Sequence, residues 1–378
     1  MFKMARMAID ARTLGQRIAE ARGRAGLTQE QLASNASLDR STLAKIEAGS
    51  RRVSALELAT IAESLGVRIE WFVQDAPEAI ISRRNTQEPG TPSPRIDATV
   101  ERVARAVEFA LEHDQRFTLP SQQPQPMVTN VQEAEALAEN TRSSIGVDRE
   151  APCTHLADKV ASLGLLVFSV NLGVESADAA TILLRSGGIT VINGDLRVGR
   201  RRLALAHELG HYIIADDYSV DWRVAEYQDV DSRESLFDRF ARAILLPEAG
   251  LRAEWNADAG GDYGSMRTTA VRIASAYRVD MATLARRLLE LDIINSGDAG
   301  KIRSIRTTRA DIVELGLVVG EELVPPTLPR EYELSVLRLY RSETISTVRA
   351  LDLLLDTWDG DMLPDLPDRA EDEIWQYV

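Results

Sequence analysis

Apolar positions in the first 72 residues recur at helical spacing, in short interrupted runs. Leu14, Ile18 and Ala21 share one helix face, which ends at Gly23 and Gly26. Thr28-Gln29-Glu30-Gln31 has the form of a capping box: the threonine oxygen accepts from the N–H three residues on while Gln31 reaches back. It opens a helix that buries Leu32 and Ala33. A turn through Asn35-Ala36-Ser37 leads to a helix from Asp39 to Glu47, stopped by Gly49. Ser54-Ala55-Leu56-Glu57 repeats the capping signature before Leu58, Ile61, Ala62 and Leu65. The pattern predicts four or five short helices, with a tight turn between the second and third.

Beyond Phe72 the rhythm loosens. Residues 82–95 are polar and proline-interrupted, which predicts a linker. A helix from Val100 to Glu112 follows, then a second Pro/Gln break near 119–126. Residues 130–142 read as helical, as does the stretch carrying Leu156, Val160 and Leu163. LLVFSVNLG reads as a buried strand, and ATILLRSGG and ITVINGD as two more, joined at Gly187-Gly188. Helices are expected from Gly199 to Ile214, from Ser232 to Leu246 before Pro247, and over 268–291. Residues 331–378 hold one or two more, with the acidic run from Asp352 to Glu373 as solvated surface. The predicted fold is mainly α with a small β-sheet. An all-α helix-turn-helix bundle spans 11–74, a linker with one helix 75–129, an α+β domain 130–260 and a C-terminal helical region 261–378.

Charge changes this picture. The total of −14 argues against nucleic acid, but residues 1–74 hold 11 basic against 8 acidic residues, a net of +3 that leaves −17 for the rest. A small basic unit is attached to a large acidic one. The single cysteine, Cys153, rules out an internal disulfide and a cysteine-based zinc site, and it suits a cytoplasmic setting. No apolar run reaches membrane-spanning length, and the N-terminus has no signal core, so no membrane partner is expected.

A helix pair inside a compact basic bundle can lay its second helix in the DNA major groove. Arg40 suits bidentate pairing with guanine, Ser41 and Thr42 can meet base or phosphate, and Lys45 lies one turn on. Gln29, at the start of the preceding helix, is placed to hold a phosphate, and Arg51 and Arg52 follow as backbone contacts. With LTQEQLA, STLAKIEAG and IAESLGV, this segment resembles the phage repressor and Cro-like (XRE-type) helix-turn-helix family. The resemblance implies a homodimer on a double-stranded DNA operator.

Two of the four histidines fall in His207-Glu208-Leu209-Gly210-His211, which fits H-E-x-x-H. On a helix, positions i and i+4 are neighbours, so both imidazoles can reach one metal ion with Glu208 over its open position. A catalytic zinc takes three protein ligands. Glu234 and Asp238 also share a helical face. Glu234 can ligate while Asp238 accepts the other N–H of a ligating histidine. RRRLALAHELGHYII followed by ESLFDRFARAILLP resembles the ImmA/IrrE family of bacterial zinc metallopeptidases, over roughly residues 130–250. Leu236 stands where that family has a second glutamate, Phe237-Asp238 replaces Ala-Asn, and Leu203-Ala204 replaces Phe-Thr. The resemblance implies a zincin-like peptidase domain using Zn2+, with Glu208 as general base and a repressor or antitoxin-like protein as substrate. The alternative is a transcription factor with a structural or sensory metal that cleaves nothing. His155, Tyr212, Tyr218 and Tyr227 remain open as oxyanion stabilisers.

Overall fold

Capping and a small apolar core build the first unit. In the computed structural model, which describes residues 10–25, 27–65, 69, 72, 80–84, 94–121, 124–173, 176–214, 230–258, 263–317 and 320–366, the chain divides into residues 1–77 and 78–378. The first unit contains α1 (Ala11–Arg24), α2 (Gln29–Asn35), α3 (Arg40–Glu47) and α4 (Ala55–Leu65). Asp10, Thr28 and Asp39 cap the first three helices through their side chains, each worth about 1 kcal/mol. Both expected capping boxes form: Gln31 answers Thr28, and Ser54 exchanges bonds with Glu57. Ile18, Leu32, Leu43, Ile46, Ile61 and Phe72 make the core, each contributing roughly 2 kcal/mol by burial. A Cβ on Gly15 would collide with the carbonyl oxygens of Ile46 and Glu47, so α1 and α3 touch backbone to backbone.

The second unit is a mixed sheet covered on both faces. Its elements in order are β1 (Ile80–Arg84), α5 (Pro94–His113), α6 (Val131–Ser144), α7 (Leu156–Ala161), β2 (Leu165–Val170), β3 (Ala179–Leu183) and β4 (Gly188–Asn193). Then come α8 (Val198–Ile214), α9 (Val230–Leu245), α10 (Glu248–Asp258), α11 (Tyr263–Ala276) and α12 (Met281–Glu290). The last are α13 (Ser296–Ser304), α14 (Arg309–Glu314), α15 (Arg330–Arg341) and α16 (Thr347–Leu353). The strand order is β1-β3-β4-β2, with β2 parallel to β4 and the other two pairings antiparallel.

Successive side chains on β2 point to opposite faces, and both faces are dry, which is why LLVFSV is apolar apart from Ser169, whose buried hydroxyl donates to the Leu323 carbonyl. Leu165 and Val167 join the core of Ala204, Leu205 and Leu209 from α8. Leu166 and Phe168 join Val100, Val103 and Val107 of α5 and Tyr332 and Val336 of α15. The helix read as part of the linker therefore covers one face of the sheet.

Four local readings change. Ile80–Arg84 is a strand although the linker was expected to begin at Ser82, because its ladder partner lies a hundred residues away in β3. The β3–β4 connection spans residues 184–187, closed by Leu184 N–H donating to the Gly187 carbonyl, so Gly188 already belongs to β4. Residues 268–291 form two helices, broken where Arg278 takes φ +53 and Asp280 caps a new start. Asp352, expected to be solvated, is buried against Arg102 at 3.1 Å and Arg349 at 2.6 Å. Among the described residues, no helix is long and apolar enough to cross a membrane.

Candidate functional site

In the C-terminal half of helix α8, His207, Glu208 and His211 lie among buried apolar neighbours and are themselves all buried. Helix α9 supplies the opposing carboxylates. Gly210 lets the two helices approach, since a Cβ there would lie 3.0 Å from ring carbons of both Phe237 and Phe240. The two histidine Nε2 atoms are 3.1 Å apart, Glu234 Oε2 is 3.1 Å from the Nε2 of His207, and Glu234 Oε1 is 3.6 Å from that of His211. Bonds of about 2.05 Å to a tetrahedral zinc would set ligand atoms about 3.3–3.4 Å apart, which these spacings bracket. A shared cation is also what the donor set calls for. With His207 Nδ1 donating to Asp238 Oδ1 at 2.9 Å, its Nε2 presents a lone pair toward Glu234 and His211. Burial raises the Glu234 pKa, but its close contacts with the His207 and His211 imidazoles outweigh it and hold the carboxyl well below the usual range. Electron-rich atoms converge here, and protons or a metal relieve them alike.

Neighbouring side chains fix this geometry. The Phe237 ring packs on His211 with centroids 4.0 Å apart and reaches His207 at 6.2 Å. Arg242 lies 3.8 Å from Asp238 and is held by Glu290 at 2.9 Å, which ties α9 to α12. Sequence reasoning missed Phe237 and the Arg242–Glu290 pair as supports. The i, i+4 spacing of Asp238 and Arg242 was the only local signal for either.

Tyr212 is removed from the oxyanion question. Its hydroxyl donates to the Leu163 carbonyl at 2.8 Å in a buried setting, and burial pushes the phenol pKa up. His155 sits at the N-cap of α7 with φ +53, makes no side-chain capping bond, and is largely exposed with Nδ1 4.0 Å from Asp158. Tyr218 and Tyr227 lie outside the described residues.

In the first unit, Arg40, Ser41 and Lys45 are exposed along α3 and Thr42 is half-buried. The hydroxyls of Ser41 and Thr42 donate to Asp39, lowering its pKa to about 2. The side chain of Gln29, read as a phosphate ligand, donates to Glu47 at 2.7 Å, beside the two bonds Glu47 accepts from Arg22. Arg51 pairs with Glu57 at 2.8 Å, whereas Arg52 is exposed.

These features define a regulator in which a DNA-binding helix-turn-helix unit is joined to a peptidase-like domain. Residues 15–78 match the helix-turn-helix domain family and residues 160–289 match the IrrE N-terminal-like domain family. The N-terminal unit thus carries a helix-turn-helix domain of XRE type, and the second unit carries an IrrE/ImmA-like domain. No curated protein matches it. Among solved structures, it is similar to the restriction-modification controller protein C.AhdI from Aeromonas hydrophila, at 35% identity over 16% of this chain and 94% of that one, with a TM-score of 0.16. ComR from Streptococcus suis is 12% identical over 93% of this chain and 89% of its own, with a TM-score of 0.17. ComR from Streptococcus vestibularis is 13% identical over 83% and 95%, again with a TM-score of 0.17. At TM-scores of this size, family membership rests on the sequence matches.

Proposed function

We propose that the chain is an operator-binding regulator whose second unit is a zinc-dependent endopeptidase acting on a repressor or antitoxin-like protein. The supporting observation is the convergence of His207, His211 and Glu234, whose ligand atoms lie within 4.8 Å of one another. His207 Nε2, His211 Nε2 and a Glu234 oxygen would hold the zinc. When bound, zinc supplies a Lewis acid that acidifies water and polarises a carbonyl. Asp238 fixes the His207 tautomer and ring direction through Nδ1. Glu208, buried on the turn between the two histidines, takes a proton from the attacking water and delivers it to the leaving amine. Burial keeps that proton from exchanging with bulk solvent.

In the first unit, Arg40, Ser41, Thr42 and Lys45 read bases or phosphates. Arg51 and Arg52 hold the backbone, with Gln29 at the start of α2, and two copies bind the two half-sites of the operator. The −17 carried beyond residue 74 keeps the larger part of the chain off the phosphates and turns it toward a protein.

The test compares cellular proteins cleaved in the presence of wild type and of Glu208→Gln, with bound zinc assayed in both. Fragments should form with wild type alone while both proteins carry zinc. Identical fragment patterns, or no cut protein at all, would leave a sensory or structural metal as the better reading.

A further inference from the structure

A carboxylate at the end of a neighbouring helix governs which partner Asp238 takes. Asp238 Oδ1 accepts from His207 Nδ1–H at 2.9 Å and so fixes the ring whose Nε2 faces Glu234 and His211. One turn further along α9, Arg242 is placed to take that carboxylate away, since residues four apart on a helix are neighbours. An arginine can engage both carboxylate oxygens side by side, which would turn Asp238 from the imidazole. Arg242 does not do so. Its Nη1 stops 3.8 Å from Asp238 Oδ2, beyond hydrogen-bond reach.

What holds it back is Glu290. Arg242 Nε donates to Glu290 Oε2 at 3.0 Å and Nη2 lies 2.9 Å from Oε1, a two-pronged grip that occupies the fork of the guanidinium. Arg286 Nε donates to the same carboxylate at 2.8 Å, and Arg239, itself bonded to Glu135 of α6, approaches it at 3.7 Å. Glu290 is the last residue of α12, and its side chain is only 8% exposed. A negative charge at a helix C-terminus opposes the helix dipole, and burying it costs solvation, so α12 alone gains nothing from a glutamate here. Its effect falls on α9. Without it, Arg242 needs to move by only about 1 Å to turn the 3.8 Å gap into a charge-assisted bond of about 2.8 Å.

We propose that Glu290 is a positioning residue for the metal site: by occupying Arg242, it leaves Asp238 to His207. The proposal rests on the metal-binding part of the function given above. It differs from a simple tie between α9 and α12, which the loss of either partner would break equally. Withholding is not symmetric. Loss of Glu290 releases a competitor for Asp238, whereas loss of Arg242 removes it.

Zinc affinity of the full chain is measured by chelator competition for wild type, Glu290→Gln, Arg242→Met and the double variant. The 1H–15N signal of His207 Nδ1–H is followed in the same proteins without metal. Glu290→Gln should weaken zinc binding about ten-fold and lose the Nδ1–H signal to exchange. Arg242→Met should stay within about three-fold of wild type with its signal intact, and adding it to Glu290→Gln should restore both readings. Arg242→Lys keeps Glu290 but cannot match the two-pronged grip, so its ammonium should turn to Asp238 and weaken zinc binding in the same direction. That variant decides the matter if Glu290→Gln does not fold. Equal losses in Glu290→Gln and Arg242→Met, a double variant no better than Glu290→Gln, or wild-type behaviour of Arg242→Lys would overturn the proposal and leave a structural tie. A chain that binds no zinc yet shows the same pattern in the Nδ1–H signal would discredit the metal site and keep the positioning role.

Discussion

Gly210→Ala tests whether the metal geometry depends on how closely α8 and α9 approach. Carbon atoms rest at about 3.5–4.0 Å, so two Cβ contacts at 3.0 Å require α9 to retreat by about 0.5 Å. Alanine regains about 1 kcal/mol of helix propensity, while overpacking costs about 1–3 kcal/mol. The net is a destabilisation of about 1 kcal/mol, a fall in Tm of about 2–4 °C. Retreat of α9 also draws Glu234 away from both imidazoles, which now lie 3.1 and 3.6 Å from its oxygens. Zinc affinity should fall on the order of ten-fold, as it does when ligand orientation is disturbed. Thermal unfolding and competition with a chromophoric chelator measure the two effects. A variant that gains the full propensity term and binds zinc as tightly as wild type would refute the claim that this contact sets the site.

Asp238→Asn should lower zinc affinity by about 10–100-fold without loss of fold, by chelator competition, because the amide is a weaker acceptor for His207 Nδ1–H. Arg287, fully buried, donates to Glu135 and to the Leu246 carbonyl, so Arg287→Ala should cost about 3–5 kcal/mol in urea unfolding. Burial raises the Glu135 pKa, but Arg287 and Arg239 lower it further. This stabilisation is therefore present above the ordinary value of 4.5 and is lost as pH falls below it, and Arg287→Ala should flatten that acid limb. Arg40→Ala should relax base preference in operator binding. Arg52→Ala should weaken binding to all sequences alike and reduce the log–log salt slope by about one; the same change in both variants would reject this docking.

What the chain shows locally is what could be read from it. Periodicity placed α8, the i, i+4 rule put His207 beside His211 and Glu234 beside Asp238, and two capping boxes marked the starts of α2 and α4. Contacts set by distant sequence were hidden. The strand character of Ile80–Arg84 depends on β3, and α5 was legible as a helix but not as one cover of the sheet. The buried Arg202, bonded to Glu322 across 120 residues, reads in sequence as one more surface cation in an arginine run. Nothing local shows that Gln29 also donates to Glu47, eighteen residues on.

The contact at Gly15 bears on how such a regulator diversifies. At Gly15 the α3 backbone rests directly on α1, so at that contact no side chain can be resized to tilt one helix against the other. Operator preference can then drift through the residues that α3 exposes, such as Arg40, Ser41 and Lys45. Each such exchange leaves the apolar core untouched, so new specificities are reachable one substitution at a time while the unit remains folded.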